Sequence, residues 1–233
     1  MLYAPFWATL RGMLTVHHLE SSRSQRVLWL LEELGVPYDV KQYARNKKTM
    51  LAPLELRAVH PLGKSPVITD GDTTVAESGA IVEYLIERYG DGSFVPVAGT
   101  PERRRYTYWM HYAEGSAMPP LVLKLIFLRM AKGPAPFFVR PLVRSIANKV
   151  MSTFVDPQLA LHASYIDAEL AKSEWFAGKE ITGADIQMSF PLEALCSRGN
   201  LGESVPHIAA LVRKIHARPA YQRALARGGP YKL

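Results

Sequence analysis

The sequence predicts an α/β unit followed by an all-helical unit, and three observations carry that prediction. Strand-like runs alternate with helical periodicity as far as Gly90. Residues 91–101, DGSFVPVAGTP, shift to a Gly/Pro-rich composition that reads as a linker. Beyond it strand signals vanish and only helical patterns recur. The expected boundaries are an N-terminal extension over 1–12, the α/β unit over 13–90, the linker over 91–101 and the helical unit over 102–233.

Each element has a local cause. Residues 13–19, MLTVHHL, read as a strand that ends at the polar corner Glu20-Ser21-Ser22. Val27, Leu28, Leu30, Leu31 and Leu34 recur at helical spacing until Gly35-Val36-Pro37 stops the helix. Tyr38, Val40 and Tyr43 indicate a second strand. The basic stretch 45–50 and Ala52-Pro53 read as a mobile loop, followed by a short helix ending near His60-Pro61-Leu62-Gly63. Pro66-Val67-Ile68 is a third strand, Asp70-Gly71-Asp72 a hairpin turn and Thr73–Ala76 a fourth strand. Ala80, Ile81, Tyr84, Leu85 and Arg88 then place a helix closed by Gly90. The order β-α-β-α-β-β-α matches a thioredoxin-like unit. In the second half, helical patterns run over about 102–129, 137–172, 182–197 and 208–217, with Gly133-Pro134-Ala135-Pro136 dividing the first two.

Composition narrows the function classes. Apolar residues at 48% and charged residues at 21% describe an ordinary globular chain and argue against disorder. The net charge of +7 would steer anions, but no zinc-finger spacing, RNP-like motif or dense Lys/Arg run is present, so nucleic acid is not an expected partner. Cys196 is the single cysteine, which forbids an intrachain disulfide and a CxxC motif; it is expected to be a small buried packing residue. Residues 1–12 lack a basic n-region and a small-residue cleavage site, and they are too short to span a bilayer. A cytoplasmic protein without stable membrane insertion is expected. Between Glu114 and Asp156 there is no acidic residue but six basic ones, Lys124, Arg129, Lys132, Arg140, Arg144 and Lys149, interleaved with Phe127, Phe137 and Phe138. This stretch reads as a solvated helical face with snorkelling side chains, the alternative being an attraction for an anionic apolar substrate or a membrane surface.

Two motifs carry chemistry. Glu77-Ser78 follows the fourth strand and opens a helix, and Lys64-Ser65-Pro66 lies one strand earlier. An acid-serine pair at a helix start presents backbone N–H groups, a hydroxyl and a carboxylate together, which suits a ligand with an α-carboxylate and an α-ammonium group. A proline heading a strand fits an edge, an end or a cis turn. The first strand-helix corner, Glu20-Ser21-Ser22-Arg23-Ser24-Gln25-Arg26, is the natural place to stabilise an anion. Ser22 there is either a helix cap or a donor, and Ser21 or Ser24 could donate instead. His17-His18 and His60 have no third ligand at sensible spacing, so no metal is expected.

The order Ser-Pro-strand-turn-strand-Glu-Ser-helix resembles the glutathione-binding half of the glutathione transferase family. A second family-like patch is Phe176-x-Gly178-x-x-x-Thr182-x-x-Asp185, in which Thr182 and Asp185 form a capping box rather than a catalytic pair. The resemblance implies a thioredoxin-like domain followed by the family's all-helical domain, a cis Ser65–Pro66 bond and glutathione as co-substrate. It places Lys64 near the glycine carboxylate, the Ser65 backbone along the cysteinyl portion, and Glu77 and Ser78 at the γ-glutamyl end. Ser22, four residues before Arg26, matches the serine-type spacing and would stabilise the thiolate, although Arg23-Ser24-Gln25 stands where many such members carry a proline. HHLESSRSQRVLWLLEELG looks closer to a fungal and bacterial branch. Tyr3 and Tyr43 lie away from this corner and no cysteine occupies it, so tyrosine-type and cysteine-type mechanisms are not expected.

The implied activity is conjugation of glutathione to small hydrophobic electrophiles, or reduction of organic peroxides, by a homodimer. Tyr108, Tyr112, Met118 and Phe127 are the candidate electrophile pocket, expected between the two domains. The competing implications are a non-catalytic glutathione-binding or regulatory protein and a glutathione-dependent disulfide reductase.

Overall fold

A computed structural model describes residues 13–198, 204–229 and 231; the expected extension over 1–12 lies outside the described residues. Four strands form one sheet in the order β2-β1-β3-β4. Strand β1 (Thr15–Leu19) pairs parallel with β2 (Asp39–Tyr43) and antiparallel with β3 (Val67–Asp70), and β3 pairs antiparallel with β4 (Thr73–Ala76). Parallel pairing of β1 and β2 requires a crossover, which helix α1 (Ser24–Leu34) provides. Gly35, at φ 64°, ends α1 in the left-handed conformation that a side chain would resist. The β3–β4 hairpin turns at Gly71, also left-handed at φ 59°. A 3-10 turn (Leu54–Ala58) links β2 to β3, and α2 (Ser78–Tyr89) follows β4. These elements realise the expected thioredoxin-like order.

Asp70 ties α2 to the sheet. Its Oδ2 accepts the hydroxyls of Tyr84 and Tyr89 at 2.7 and 2.6 Å and sits 3.0 Å from Arg88 Nε. Three residues of α2 thus converge on one buried carboxylate, which fixes the helix whose first turn carries Glu77 and Ser78. The loop after β2 is organised rather than loose. Asn46 Oδ1 accepts the amides of Lys48 and Thr49, and Arg45 donates to the carbonyls of Glu20, Ser21 and Met50. The basic residue that composition marked as part of a mobile loop is the pin that holds it.

The chain divides into two compact units, the first running to Ser93 and resuming at Ala217, the second spanning Phe94–His216. Helix α9 (Pro219–Gly228), which no sequence pattern had marked, therefore belongs with the sheet. It covers α1 through named pairs. Arg218 forms a fork with Glu33 at 2.5 and 2.8 Å, Arg223 Nε lies 2.7 Å from Glu32, and Tyr221 meets Trp29 edge-on at 5.6 Å. Arg227 stacks over Tyr38 at 3.9 Å and donates to its carbonyl. With the sheet on one side and α9 on another, every residue of α1 from Ser24 to Leu31 is buried.

The second unit is helical, as expected. Helices α3 (Pro101–Tyr112) and α4 (Met118–Lys132) are joined by a π turn over Ala113–Ala117, and α5 (Arg140–Val150) and α6 (Asp156–Leu170) by another over Met151–Val155. Each long helical stretch seen in the sequence is thus two helices with a widened turn between them. Helix α7 (Gly183–Arg198) is buried from Gly183 to Leu195, and α8 (Pro206–His216) follows. Asp185 reaches back to the Thr182 amide at 2.8 Å and also accepts the Phe176 amide at 2.8 Å, so the capping box closes the whole Phe176–Asp185 patch. Burial pushes its carboxyl up to about 6 against those hydrogen bonds.

Cys196 corrects an expectation. It is exposed, because Ala194 and Leu195 take the buried face and the last turn of α7 carries Cys196 outward. In the basic stretch, Lys124 pairs with Asp156 at 2.5 Å, and α5 leaves Leu142 and Ile146 exposed beside Arg140 and Arg144.

Candidate glutathione site

Sheet register brings the predicted binding residues to one end of the first unit. His17 pairs with Val67 and Val67 with Ala76, so the carboxyl end of β1, the start of β3 and the end of β4 lie side by side. Beyond those three positions come the corner Glu20–Ser24, the pair Ser65-Pro66 and the pair Glu77-Ser78. Helices α1 and α2 both begin at this end of the sheet, so two positive dipole ends share it.

The Ser65–Pro66 bond is cis. Ser65 Oγ donates to the His17 carbonyl at 2.9 Å and accepts the Leu19 amide at 3.3 Å, which stitches the loop before β3 to the end of β1. Its side chain is thereby occupied within the first unit. Lys64 beside it is exposed.

Glu77 is exposed and held at φ 71°, ψ 123°, a conformation that side chains rarely adopt. Such strain costs of order 1–3 kcal/mol and persists where the surroundings enforce it. No side chain caps α2, and Ser78 is buried in its first turn. An ordinary capping pair would place a side-chain oxygen on the amides of that turn, and this one does not.

The other corner is built differently. Ser21 sits at φ 47°, and Arg45 holds the carbonyls of Glu20 and Ser21 together while its amide donates to the Glu20 carboxylate at 2.9 Å. Ser22 and Ser24 are buried, with their hydroxyl oxygens 2.7 Å apart. Ser22 Oγ also accepts the Ser24 amide at 3.2 Å, so it serves the first turn as well. Ser24 Oγ lies 2.9 Å from His18 Nδ1. Burial holds the His18 imidazole below its usual proton affinity, and a backbone hydrogen bond with Gly228 opposes that shift. Arg26, four residues after Ser22, is buried in the first turn of α1.

Sequence reasoning missed the His18 connection. Adjacent histidines suggested only a metal, yet their rings have separate partners: His17 meets Tyr43 at 2.9 Å and Thr69 at 3.4 Å. Period-2 alternation along β1 was the available signal, since it turns neighbours to opposite faces and His18 toward α1. Among the described residues, no group of three or more His, Cys, Asp or Glu is placed to hold a metal ion.

The candidate pocket residues lie in the second unit. Tyr108 and Tyr112 belong to an aromatic cluster on α3 with Trp109, Tyr165 and Phe176, and Tyr112 hydrogen-bonds His162. Burial raises both tyrosines above the usual phenol range. Tyr108 is exposed, Met118 is buried at the start of α4, and Phe127 is half-buried on α4.

Comparison with known proteins agrees with this architecture. The glutathione S-transferase N-terminal domain matches residues 20–88 and the C-terminal domain of the same family matches residues 135–219. Glutathione S-transferase 3 of Schizosaccharomyces pombe is 38% identical over 209 residues, covering 89% of this chain and 85% of the relative. Glutathione S-transferase 1 of Saccharomyces cerevisiae is 30% identical over 217 residues, 90% and 92% of the two chains. The crystal structure of a glutathione S-transferase from Actinobacillus pleuropneumoniae superposes with a TM-score of 0.75 at 34% identity, covering 93% of each chain. With both domain matches in order and relatives of this similarity, the chain belongs to the glutathione S-transferase family.

Proposed function

We propose that this protein is a glutathione transferase that conjugates the glutathione thiolate to small hydrophobic electrophiles. The observation that carries the reading is the convergence of Ser22, Ser65-Pro66 and Glu77-Ser78 at one sheet edge fed by two helix N-termini. In this reading Glu77 meets the α-ammonium group, Ser78 and the first amides of α2 meet the α-carboxylate, and the Ser65 backbone pairs with the cysteinyl portion as an added strand. Lys64 faces the glycine carboxylate. Ser22 donates to the sulfur. A free thiol titrates near about 8.5, and a hydrogen bond to a charged group is worth roughly 1.5–3 kcal/mol, which lowers that value by about one to two units. A substantial thiolate fraction at neutral pH follows. Peroxide reduction and homodimeric, cytoplasmic operation belong to the same proposal.

The ultraviolet thiolate absorbance of glutathione bound to the wild type and to Ser22→Ala, titrated against pH, tests it. A thiol pKa depressed in the wild type and restored in the variant supports the assignment. One observation favours a second reading, a scaffold that holds glutathione without chemistry: Ser22 Oγ is already engaged by Ser24. That reading expects bound glutathione with an unshifted thiol in both proteins.

A further inference from the structure

Resting on that reading, we propose that Ser22, Ser24 and His18 form a proton relay that carries the glutathione proton to His18 Nδ1. The relay makes His18 a positioning and proton-holding residue that acts through two serines. The spacings are those of hydroxyl hydrogen bonds: 2.7 Å from Ser22 Oγ to Ser24 Oγ and 2.9 Å from Ser24 Oγ to His18 Nδ1. All three residues are buried, Ser24 completely. Water is therefore not the natural acceptor for a proton delivered to this chain.

The same heavy atoms support two hydrogen arrangements. With His18 neutral and protonated on Nε2, Ser24 donates to Nδ1 and Ser22 donates to Ser24, leaving a Ser22 lone pair open to accept from a thiol. Proton transfer reverses the row. The S–H bond breaks and its electron pair stays on sulfur; its proton joins Ser22 Oγ, the Ser22 proton passes to Ser24 Oγ, and the Ser24 proton bonds to His18 Nδ1. The result is a thiolate accepting from the Ser22 hydroxyl and an imidazolium held by the row behind it. No electrons change hands and no co-reactant is needed. When the electrophile loses its leaving group the row runs backward, and the proton departs with that group or with water. This resolves the tension at Ser22, whose engagement by Ser24 in the resting state is the first half of the transfer.

One contact opposes the burial that disfavours the charged end. His18 hydrogen-bonds the backbone of Gly228, the last residue of α9, in the sense that favours imidazolium, as a carbonyl acceptor does. The carboxyl end of a helix stabilises a cation on the same grounds. The approach is close: a Cβ on Gly228 would stand 3.2 Å from His18 Cε1. Burial meanwhile keeps the resting imidazole neutral, free to accept.

The test compares wild type, Ser24→Ala and His18→Asn in three measurements: glutathione affinity by calorimetry, the bound thiol pKa by ultraviolet titration, and the solvent deuterium isotope effect on turnover against deuterium fraction. Asparagine keeps an acceptor near Nδ1 but not its basicity, and Ser24→Ala removes one oxygen atom. Both variants are expected to bind glutathione within about threefold of wild type, to lose roughly tenfold in turnover and to return the thiol pKa toward about 8.5. The proton inventory should be curved in wild type, where several protons move, and linear in Ser24→Ala. A thiol pKa that stays depressed in both variants, or a linear inventory in wild type with a depressed thiol pKa, overturns the relay and leaves the transferase reading intact. An unshifted thiol in wild type removes that reading and the relay with it.

Discussion

Two helix N-termini meet the same sheet edge, yet they are prepared for opposite tasks. At the α1 corner the buried serines are partnered: Ser22, Ser24 and His18 form a row, and Arg45 staples the strand end beside it, where Glu20 is exposed. The α2 corner is strained and uncapped by any side chain, with Ser78 buried but Glu77 exposed at positive φ and its carboxylate not spent on its own helix. A site that handles a proton benefits from fixed, dry neighbours, whose hydrogen bonds are stronger in low dielectric and keep their geometry. A site that captures a hydrated zwitterion benefits from groups left open to solvent until the ligand arrives. Under the proposed function, one unit thus separates chemistry from capture through how its polar side chains are partnered more than through residue type, since both corners use serine and acid.

The contrast is breakable. The largest effect is expected from Ser22→Ala, which should lower turnover roughly 10–100-fold, the kinetic equivalent of losing a bond to a charged sulfur, while glutathione affinity moves less than about threefold. Steady-state kinetics beside calorimetry gives both numbers. A parallel loss of affinity would make the α1 corner a capture site too, and the contrast would collapse.

Gly228→Ala probes the buried corner from behind. Its Cβ would lie 2.8 Å from Gln25 Oε1 and Leu28 Cδ1 and 3.2 Å from His18, so it should destabilise the fold by about 1–2 kcal/mol through overpacking. Urea midpoints measure this. Glu77→Gly acts at the open corner with the other sign. It should weaken glutathione binding about tenfold through the lost carboxylate, and raise stability by about 1 kcal/mol as the strained φ is relieved. Binding and stability moving in opposite directions would identify strain maintained for capture.

The smallest expected effect is a pH dependence. His18 has a lowered folded pKa against 6.5 unperturbed, so the unfolded chain takes the proton first. The stability it contributes is present above 6.5 and is lost as pH falls through the lowered folded value. Asp185 slopes the other way, since its folded pKa is raised to about 6 and its contribution is lost as pH rises through that value. Subtracting the urea-stability profile of His18→Asn from that of wild type isolates the histidine and should leave a difference that grows only on the acid side.

How much of this was legible in the sequence varied with the range of the interaction. The order of elements along the first unit followed from local signals: a glycine stop after Leu34, a hairpin turn at Gly71 and alternating strands. Glu77-Ser78 and Ser65-Pro66 were visible because each motif is contiguous and register alone joins them. The row from Ser22 to His18 was half visible, its serines at a helix start and its histidine weighed only as a metal ligand and set aside. The part played by Gly228 was invisible, since it lies far along the chain from His18 and no periodicity links them. Cys196 failed for a similar reason: a helix end decides exposure there, and periodicity does not locate that end. Helix α9 has an Arg-rich polar face, and only Glu32 and Glu33 on α1 give that face a purpose.

That helix has a consequence for how the molecule comes into being. During synthesis α1 emerges well before the arginines that cover it, Arg218 following Glu33 by 185 residues. Until they arrive, Trp29, Glu32 and Glu33 have no cover from that side, and the second unit must be threaded out between the two halves of the first. Closing so long a loop is slow and leaves apolar surface exposed in the meantime. The contact of His18 with Gly228, and with it the proposed proton row, is therefore a late product of folding. A ribosome-bound or carboxyl-truncated chain would hold the proposed capture corner before the proposed relay was complete.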